Sequence, residues 1–367
     1  MANGNIAIGP ASAAAPGLNA QDWAIVVGID VYPGYVNLNL AGGSNDATEM
    51  YNWLISPAPT GGGVPRDQAR LIRSTDFPGP FRGPLEGRPA CFELERELLM
   101  LDDRAKRNND SGQSGFRVGR RLYLYFSGHG CAPDSSESAL LTADSSPDLT
   151  GLHIPGRLWA HLFFARGYFD EIVLLMDCCR ESYPAVHVRK PPLNEGVARG
   201  STVPDGRRFY GFATKWSLLT KELKIQGAAH GVYTFALLEG LRGRAADPRT
   251  GVITAASLGI WLDKNIKAFV PPEVANGPDF PLPEWGPRLV EAEQIVLARM
   301  PPLAKSTPIS IPPAWVGQGV RLWGGFPLEV FHSVLAAPAV WTVLLPAGLY
   351  QLEGPGGARL QPFSVET

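Results

Sequence analysis

The chain has 367 residues, and its 33 basic and 35 acidic side chains leave a formal net charge of −2. That balance excludes a polybasic nucleic-acid binder as the default reading, and 45% hydrophobic residues are too many for general disorder. Glycine (41) and proline (34) make up about a fifth of the chain, so loops are long, and the length suits two domains or one large domain with an appendage.

Residues 1–20 are small and uncharged and read as a flexible tail. No Lys or Arg precedes Arg66, so the positive start of a secretory signal is missing. Asp22 to Asp30 (DWAIVVGID) is a short Ile/Val run with the pattern of a buried parallel strand. Ser44 to Ile55 has polar cap candidates and helical apolar spacing. Ala69 to Ser74 predicts a second strand. Phe92 to Arg107 predicts a helix with an apolar face at Phe92, Leu94, Leu98, Leu99 and Leu101. Arg121 to Phe126 is a third strand, ending in Ser-Gly-His-Gly. Pro155 to Arg166 is a helix, and Glu171 to Met176 is a fourth strand, ending in Asp-Cys-Cys-Arg.

A Pro-containing basic loop, Glu181 to Gly206, follows, then a fifth strand from Arg207 to Thr214. His230 to Leu241 and Ala255 to Phe269 predict helices. Val270 to Pro287 reads as an extended crossing, and Gln294 to Ala298 as a last core strand. Val316 to Thr367 breaks into short β-like pieces separated by Gly and Pro. The stretch from Val330 to Leu352 lacks Lys, Arg, Asp and Glu and is long enough to span a bilayer, but Pro338 and Pro346 cut it into strand-sized pieces. It reads as two buried strands. The alternation predicts an α/β protein, a mostly parallel central sheet flanked by helices, with a small C-terminal β appendage. The expected divisions are a tail over 1–20, a main domain over 21–299, a Pro-rich linker over 300–315 and a β domain over 316–367.

The four cysteines, Cys91, Cys131, Cys178 and Cys179, are too few for a disulfide framework, and free thiols point to a reducing compartment, the cytoplasm. His129 and the Cys178–Cys179 pair each fall just past the carboxyl end of a strand, where open α/β sheets carry their chemistry. A thiolate attacking a carbonyl needs an imidazole held rigidly beside it. The bland reading of the pair is two buried thiols packing as small hydrophobes. His153, His161, His187, His230 and His332 are scattered without partners at ligand spacing. Cys131 with His129 fits no zinc spacing, so no metal is expected. Gly42-Gly43-Ser44 lacks the Lys-Ser/Thr of a phosphate loop, which weighs against a nucleotide-binding protein.

Five stretches together carry a family likeness: Trp23 to Asp30, GGSNDATEMYNWL from Gly42, LYLYFSGHG from Leu122, IVLLMDCCR from Ile172 and GVYTFALLEGLRG from Gly231. With a histidine about 50 residues before a Cys-Arg pair, the chain resembles the caspase-like cysteine peptidases (peptidase C14 type), especially bacterial metacaspases and orthocaspases. The likeness runs over about Trp23 to Ala298. It implies the caspase-like fold, with Cys179 as nucleophile because it stands third in Asp-x-Cys, and with His129 as the catalytic histidine. It implies an oxyanion hole from the N–H groups of Gly130 and Cys179. Glu181 departs from the caspase pattern, which has glycine there.

The resemblance also implies a P1 pocket lined by Asp46, Asp177 and Ser127. Carboxylates there select Arg over Lys and reject acidic residues; for Asp46, a plain helix-start residue is the bland alternative. The activity implied is a cysteine endopeptidase acting through a thioester, in bacterial stress response, cell death or phage defence. Self-processing would fall in the 181–208 loop, at Arg199 first, or at Arg189, Arg207 or Arg208. The partners implied are protein or peptide substrates, with room for a regulatory protein, and neither nucleic acid nor a membrane. No organic cofactor is expected; calcium enters only because some relatives need it, with Asp102 and Asp103 as loop candidates. The rival reading is a catalytically silent scaffold or binding module.

Overall fold

The computed structural model describes residues 19–112, 115–132, 137–180, 189–193, 206–215, 222–225, 227–247, 249–277, 280–286, 289–301, 304–324, 329–346 and 348–365. Two units divide the chain, 1–245 with 254–298, and 246–253 with 299–367.

The first unit opens with β1 (Asp22–Gly28), α1 (Gly43–Ile55), β2 (Ala69–Arg73), α2 (Cys91–Asp110) and β3 (Gly119–Gly128). A small three-stranded sheet of β4 (Gly130–Cys131), β5 (Ala139–Leu141) and β6 (His153–Pro155) follows. Next come α3 (Gly156–Ala165), β7 (Phe169–Cys178) and β8 (Arg207–Phe212), then a hairpin of β9 (Glu222–Ile225) and β10 (Ala228–Gly231). The chain continues through α4 (Val232–Glu239), β11 (Val252–Thr254), α5 (Ala255–Asn265), α6 (Pro272–Ala275), β12 (Glu284–Gly286), α7 (Leu289–Gln294) and β13 (Val296–Arg299).

The main sheet has six strands in the order β12-β8-β7-β3-β1-β2. All its ladders are parallel except β12 on β8. The expected α/β class is therefore borne out. The inner strands are buried along nearly their whole length, which is why they read as continuous apolar runs rather than alternating ones. Helix α2 buries Leu94, Leu98, Leu101 and Ala105 at helical spacing in the core that Leu122, Leu124, Phe126, Ile172 and Leu174 share. Its buried face begins at Cys91; Phe92, expected to belong to it, is 63% exposed.

Helix α1 starts without a side-chain cap of its own. Asp30, just past β1, supplies one from a distance: both carboxylate oxygens accept the Ser44 N–H at 3.1 Å. In α2 the Glu93 carboxylate turns back to accept the Ala90 N–H at 2.7 Å.

Several sequence expectations change. The crossing over 270–287 contains a short helix and the antiparallel edge strand β12. The strand at 296–299 does not join the main sheet. Asp102 and Asp103 lie within α2, not in a loop. Asp102 is 1% exposed and accepts from Arg166 at 2.7 Å and Lys106 at 2.6 Å, which hold its carboxyl below the ordinary range against the effect of burial. It is a structural ion-pair residue.

The second unit contains β14 (Ala304–Ser310), β15 (Val320–Gly324), β16 (Glu329–Val334), β17 (Val340–Pro346), β18 (Gly348–Glu353) and β19 (Phe363–Val365). The stretch expected to be a linker, 300–315, holds β14, which pairs antiparallel with β17 over its full length. Proline tolerates this two-stranded ribbon because no second neighbour needs its missing N–H. The apolar stretch from Val330 to Leu352 crosses three strands rather than two, and Val330, Val340 and Leu349 are exposed. Among the described residues no helix is long and apolar enough to cross a membrane.

At the amino end of the main sheet, the 4% exposed Glu171 receives three arginines: Arg121 at 2.5 Å, Arg207 at 2.9 Å and Arg120 at 3.3 Å. Arg120 also pairs with Asp22. Arg121 is itself buried, so its charge depends on these partners. Replacing Glu171 by Gln leaves those cations under-compensated, and we expect it to lower unfolding stability by about 3 to 5 kcal/mol. Urea unfolding followed by tryptophan fluorescence checks this; an unchanged midpoint contradicts it.

Candidate active site

Strands β3 and β7 lie side by side in parallel register, with Ser127 opposite Asp177 and Gly128 opposite Cys178. The next residues on the two strands, His129 and Cys179, therefore emerge together beyond one edge of the sheet. They line a cavity of about 150 Å³ with Leu40, Asp46, Ser127, Gly128, Asp177, Glu222 and Gly231. A larger hollow, about 590 Å³, is walled by Arg157, Arg180, Arg208 and Glu284 and contains neither reactive residue.

Alternation along β7 separates the two cysteines. Cys178 is fully buried, its Sγ 3.5 Å from the Phe126 carbonyl, and burial pushes its thiol well above the ordinary range. Cys179 is partly exposed. Cys91 and Cys131 are buried as well, and burial pushes both thiols up to about 12.

His129 is held from two sides. Its backbone N–H donates to the Tyr32 hydroxyl at 2.7 Å, and its ring stands 4.8 Å from the Tyr32 ring. Its Nε2 lies 2.6 Å from the Leu38 carbonyl oxygen. A carbonyl only accepts, so Nε2 carries a proton. Tyr32 is wholly buried and its pKa is raised by that burial, so it stays a neutral hydroxyl.

Gly130 follows at once in β4. A Cβ there would lie 2.5 Å from the Cys179 carbonyl oxygen and 2.6 Å from Cys178 Cβ. Only glycine lets this backbone approach the cysteine pair so closely.

The floor of the cavity is acidic. Asp46, 1% exposed in the first turn of α1, accepts the Gly231 N–H at 2.8 Å on Oδ2, and His230 Nδ1 stands 2.8 Å from its Oδ1. Ser127 Oγ is 3.5 Å from the same carboxylate. Asp177 accepts both the backbone N–H and the hydroxyl of Thr234, at 3.1 and 2.7 Å. Burial pushes both carboxyls above the ordinary range; their donors oppose the shift, and for Asp46 the neighbouring Asp177 charge adds to it. Glu222 on β9 accepts the Ala41 and Gly42 N–H groups at 3.2 and 2.9 Å, tying the hairpin to the start of α1. Gly231 fits between the two aspartates: a Cβ there would sit 2.1 Å from Asp177 Oδ2.

The structure thus brings together Cys179, His129, Asp46, Asp177 and Ser127, with Gly130 beside them. The loop candidates fare differently. Arg207 and Arg208 stand within β8, laddered to β7, so their bonds are not loop bonds. The Arg189 side chain forms a two-point pair with Glu95 at 2.8 Å, and its N–H donates to His153 Nε2 at 3.1 Å. Arg199 lies outside the described residues. Sequence reasoning missed Tyr32, Leu38, Glu222, His230 and Thr234. Leu38 acts through its backbone, which no motif reveals, and Glu222 sits in a hairpin whose turn glycine, Gly227 at φ +91°, lacks the preceding Asn or Asp of a strong hairpin signal. His230 immediately precedes the recognised GVYTFALLEG stretch. Among the described residues no group of three His, Cys, Asp or Glu is placed to hold a metal ion.

The architecture agrees with the mostly parallel α/β sheet expected from the sequence. No family model matches the chain. It is 28% identical over 238 residues to a probable protease from a Desulfuromonadales bacterium, a match covering 61% of this chain. The match spans about a quarter (26%) of that relative's length. Among solved structures it is similar to caspase-1 from Spodoptera frugiperda, with a TM-score of 0.45 and 11% identity over 76% of this chain and 91% of that one. The pro-form structure of that caspase gives a TM-score of 0.39 and 9% identity, covering 76% of this chain and 94% of that one.

Iodoacetamide applied briefly to the folded protein should label Cys179 and leave Cys91, Cys131 and Cys178 at least about tenfold slower, because only thiolate in contact with solvent reacts. Peptide mapping by mass spectrometry reads this directly; equal labelling of Cys178 contradicts the burial pattern.

Proposed function

We propose that the chain is a caspase-like cysteine endopeptidase that cleaves after basic P1 residues, Arg over Lys. The observation that carries the proposal is the convergence of a partly exposed cysteine, a histidine with a fixed tautomer and an acidic cavity at one sheet edge. The probable protease of which this chain matches a part is consistent with it.

In this reading the Cys179 Sγ attacks the scissile carbonyl carbon after His129 Nδ1 takes its proton. The carbonyl oxygen becomes an oxyanion received by the N–H groups of Gly130 and Cys179. Collapse breaks the C–N bond; His129 returns the proton to the leaving amine, and a thioester on Cys179 remains. Water then hydrolyses the thioester, with His129 again moving the proton. Asp177 and Asp46 face a P1 guanidinium as paired acceptors, which suits the planar fork of Arg better than the point charge of Lys. Desolvation raises both pKa values, and a bound cation would offset that penalty. Self-processing is proposed for the 181–206 loop alone, after Arg199, since the other candidate arginines are engaged in the sheet or with Glu95. A regulatory protein partner and a cytoplasmic setting belong to the same proposal.

Cys179→Ala should abolish turnover of Arg-ending peptide reporters, while Cys178→Ala keeps activity within about tenfold, its cost being a small core cavity. Reporters ending in Asp should not turn over. Incubated wild type, but not Cys179→Ala, should acquire a new terminus at Gly200 by mass spectrometry. A folded, pure wild type inactive on every basic reporter favours the silent-scaffold reading.

The pocket also sets a pH dependence. Carboxyls with raised pKa lose their charge as pH falls, and a guanidinium needs them ionised. Thus kcat/KM for Arg reporters should fall between about pH 7.5 and about pH 5.5, mainly through KM. Cys179 alkylation measured over the same range separates this from thiol and imidazole titration. An unchanged KM contradicts the acidic-pocket assignment.

A further inference from the structure

We infer that His230 is a positioning residue for substrate selection: paired with Asp46 from outside the cavity, it holds that carboxylate in the orientation a P1 guanidinium requires. The inference rests on the proposed basic P1 preference and extends it to a residue that does not line the cavity.

The geometry is specific. His230 is 6% exposed, at the third position of β10, with its Nδ1 2.8 Å from Asp46 Oδ1. The neighbouring Gly231 N–H, from the same strand, takes Oδ2 at 2.8 Å. Both oxygens of Asp46 are therefore fixed by consecutive residues of one strand. An ordinary carboxylate at a helix start turns toward the helix N–H groups; this one is pulled across to the hairpin. Asn45 Nδ2 also reaches the Ala229 carbonyl at 3.1 Å, so three successive hairpin residues contact the start of α1.

The other side of the imidazole leads outward. His230 Nε2 is 3.9 Å from Glu49 Oε1, and Glu49 pairs with Arg242 at 2.8 Å. The charged groups around His230 are Asp46 and Glu49 on α1, Arg242 after α4 and Glu222 on the partner strand, with Asp177 behind Asp46; Phe235 flanks the ring at 6.1 Å. Three of these act on its titration: the Asp46 hydrogen bond first, then Asp46 and Glu49 by charge, raise its pKa against burial and Arg242. The imidazole thus donates to Asp46 in either charge state, and protonation strengthens the bond. Without it, Asp46 Oδ1 loses its partner in a buried site, and either protonation or rotation removes the acceptor from the cavity.

The test compares wild type, His230→Ala and His230→Asn on Arg and Lys reporters, with circular dichroism as the folding check. Ala should raise KM for Arg about tenfold, the loss of one hydrogen bond to a charged group, and narrow the Arg-over-Lys preference. Asn, whose amide N–H reaches the Nδ1 position, should restore most of both. In parallel, NMR titration should find the His230 imidazole pKa raised in wild type and lowered in Asp46→Asn. Folded His230→Ala with unchanged KM and unchanged Arg preference overturns the inference and leaves the peptidase reading standing. Wild type without turnover of basic reporters overturns that reading instead. Agmatine then decides the inference: a shift of the His230 resonances by this guanidinium in wild type, abolished in Asp46→Asn, supports it, and no shift overturns it. If His230→Ala does not fold, Asn and the NMR arm carry the same decision.

Discussion

The parallel ladder between β3 and β7 is the constraint on which the rest of the site depends. Its register sets Gly128 opposite Cys178, so the residues that follow are neighbours by construction. A slip of one residue would exchange the faces of every side chain on β7 and turn Cys179 into the core and Cys178 out. That register is fixed by burial on both faces: Leu122, Leu124 and Phe126 pack with Ile172, Leu174 and Met176 on one, and Tyr123, Tyr125, Val173 and Leu175 are buried on the other. At the opposite end, Glu171 is bound by arginines from β3 and β8, which pins the three strands to one another before the chain reaches the site.

Much of this was legible from the residues. The strands read clearly because strands buried on both faces leave apolar runs, and the reactive pair read clearly because both members follow such runs at once. The separation of Cys178 from Cys179 came from a likeness in the sequence and is matched by strand alternation. What was hidden is equally physical. The strand β12 is three residues long and surrounded by proline, too short for any periodicity. β14 contains a proline and lies in a proline-rich stretch, so composition pointed away from a strand that a single partner is enough to form. Glu222 and His230 were missed because their roles arise from contacts with the start of α1, about 180 residues earlier in the chain. Sequence spacing carries no trace of such pairings.

The site also shows how buried acids can be kept. Asp46 and Asp177 are almost completely removed from water, which by itself disfavours their charge. Each is compensated by donors that cannot move away: the backbone N–H groups of Gly231 and Thr234, a hydroxyl and an imidazole. Backbone donors are fixed by the hairpin and by α4 and cost little further ordering. The missing side chain of Gly231 is part of the same solution, since any larger residue would occupy the space between the two carboxylates.

The order of these parts along the chain has a consequence for synthesis. His129 and Cys179 belong to strands that leave the ribosome well before Glu222, His230 and Gly231. In a chain made only as far as β7, the hairpin and α4 that wall the acidic cavity do not yet exist. Asp46 and Asp177 then lack the hairpin and α4 donors that hold them. The bonds that fix the Asp46 carboxylate therefore arrive only when the hairpin closes on α1. Under the proposed activity, the P1 pocket is the last part of the site to be completed during synthesis.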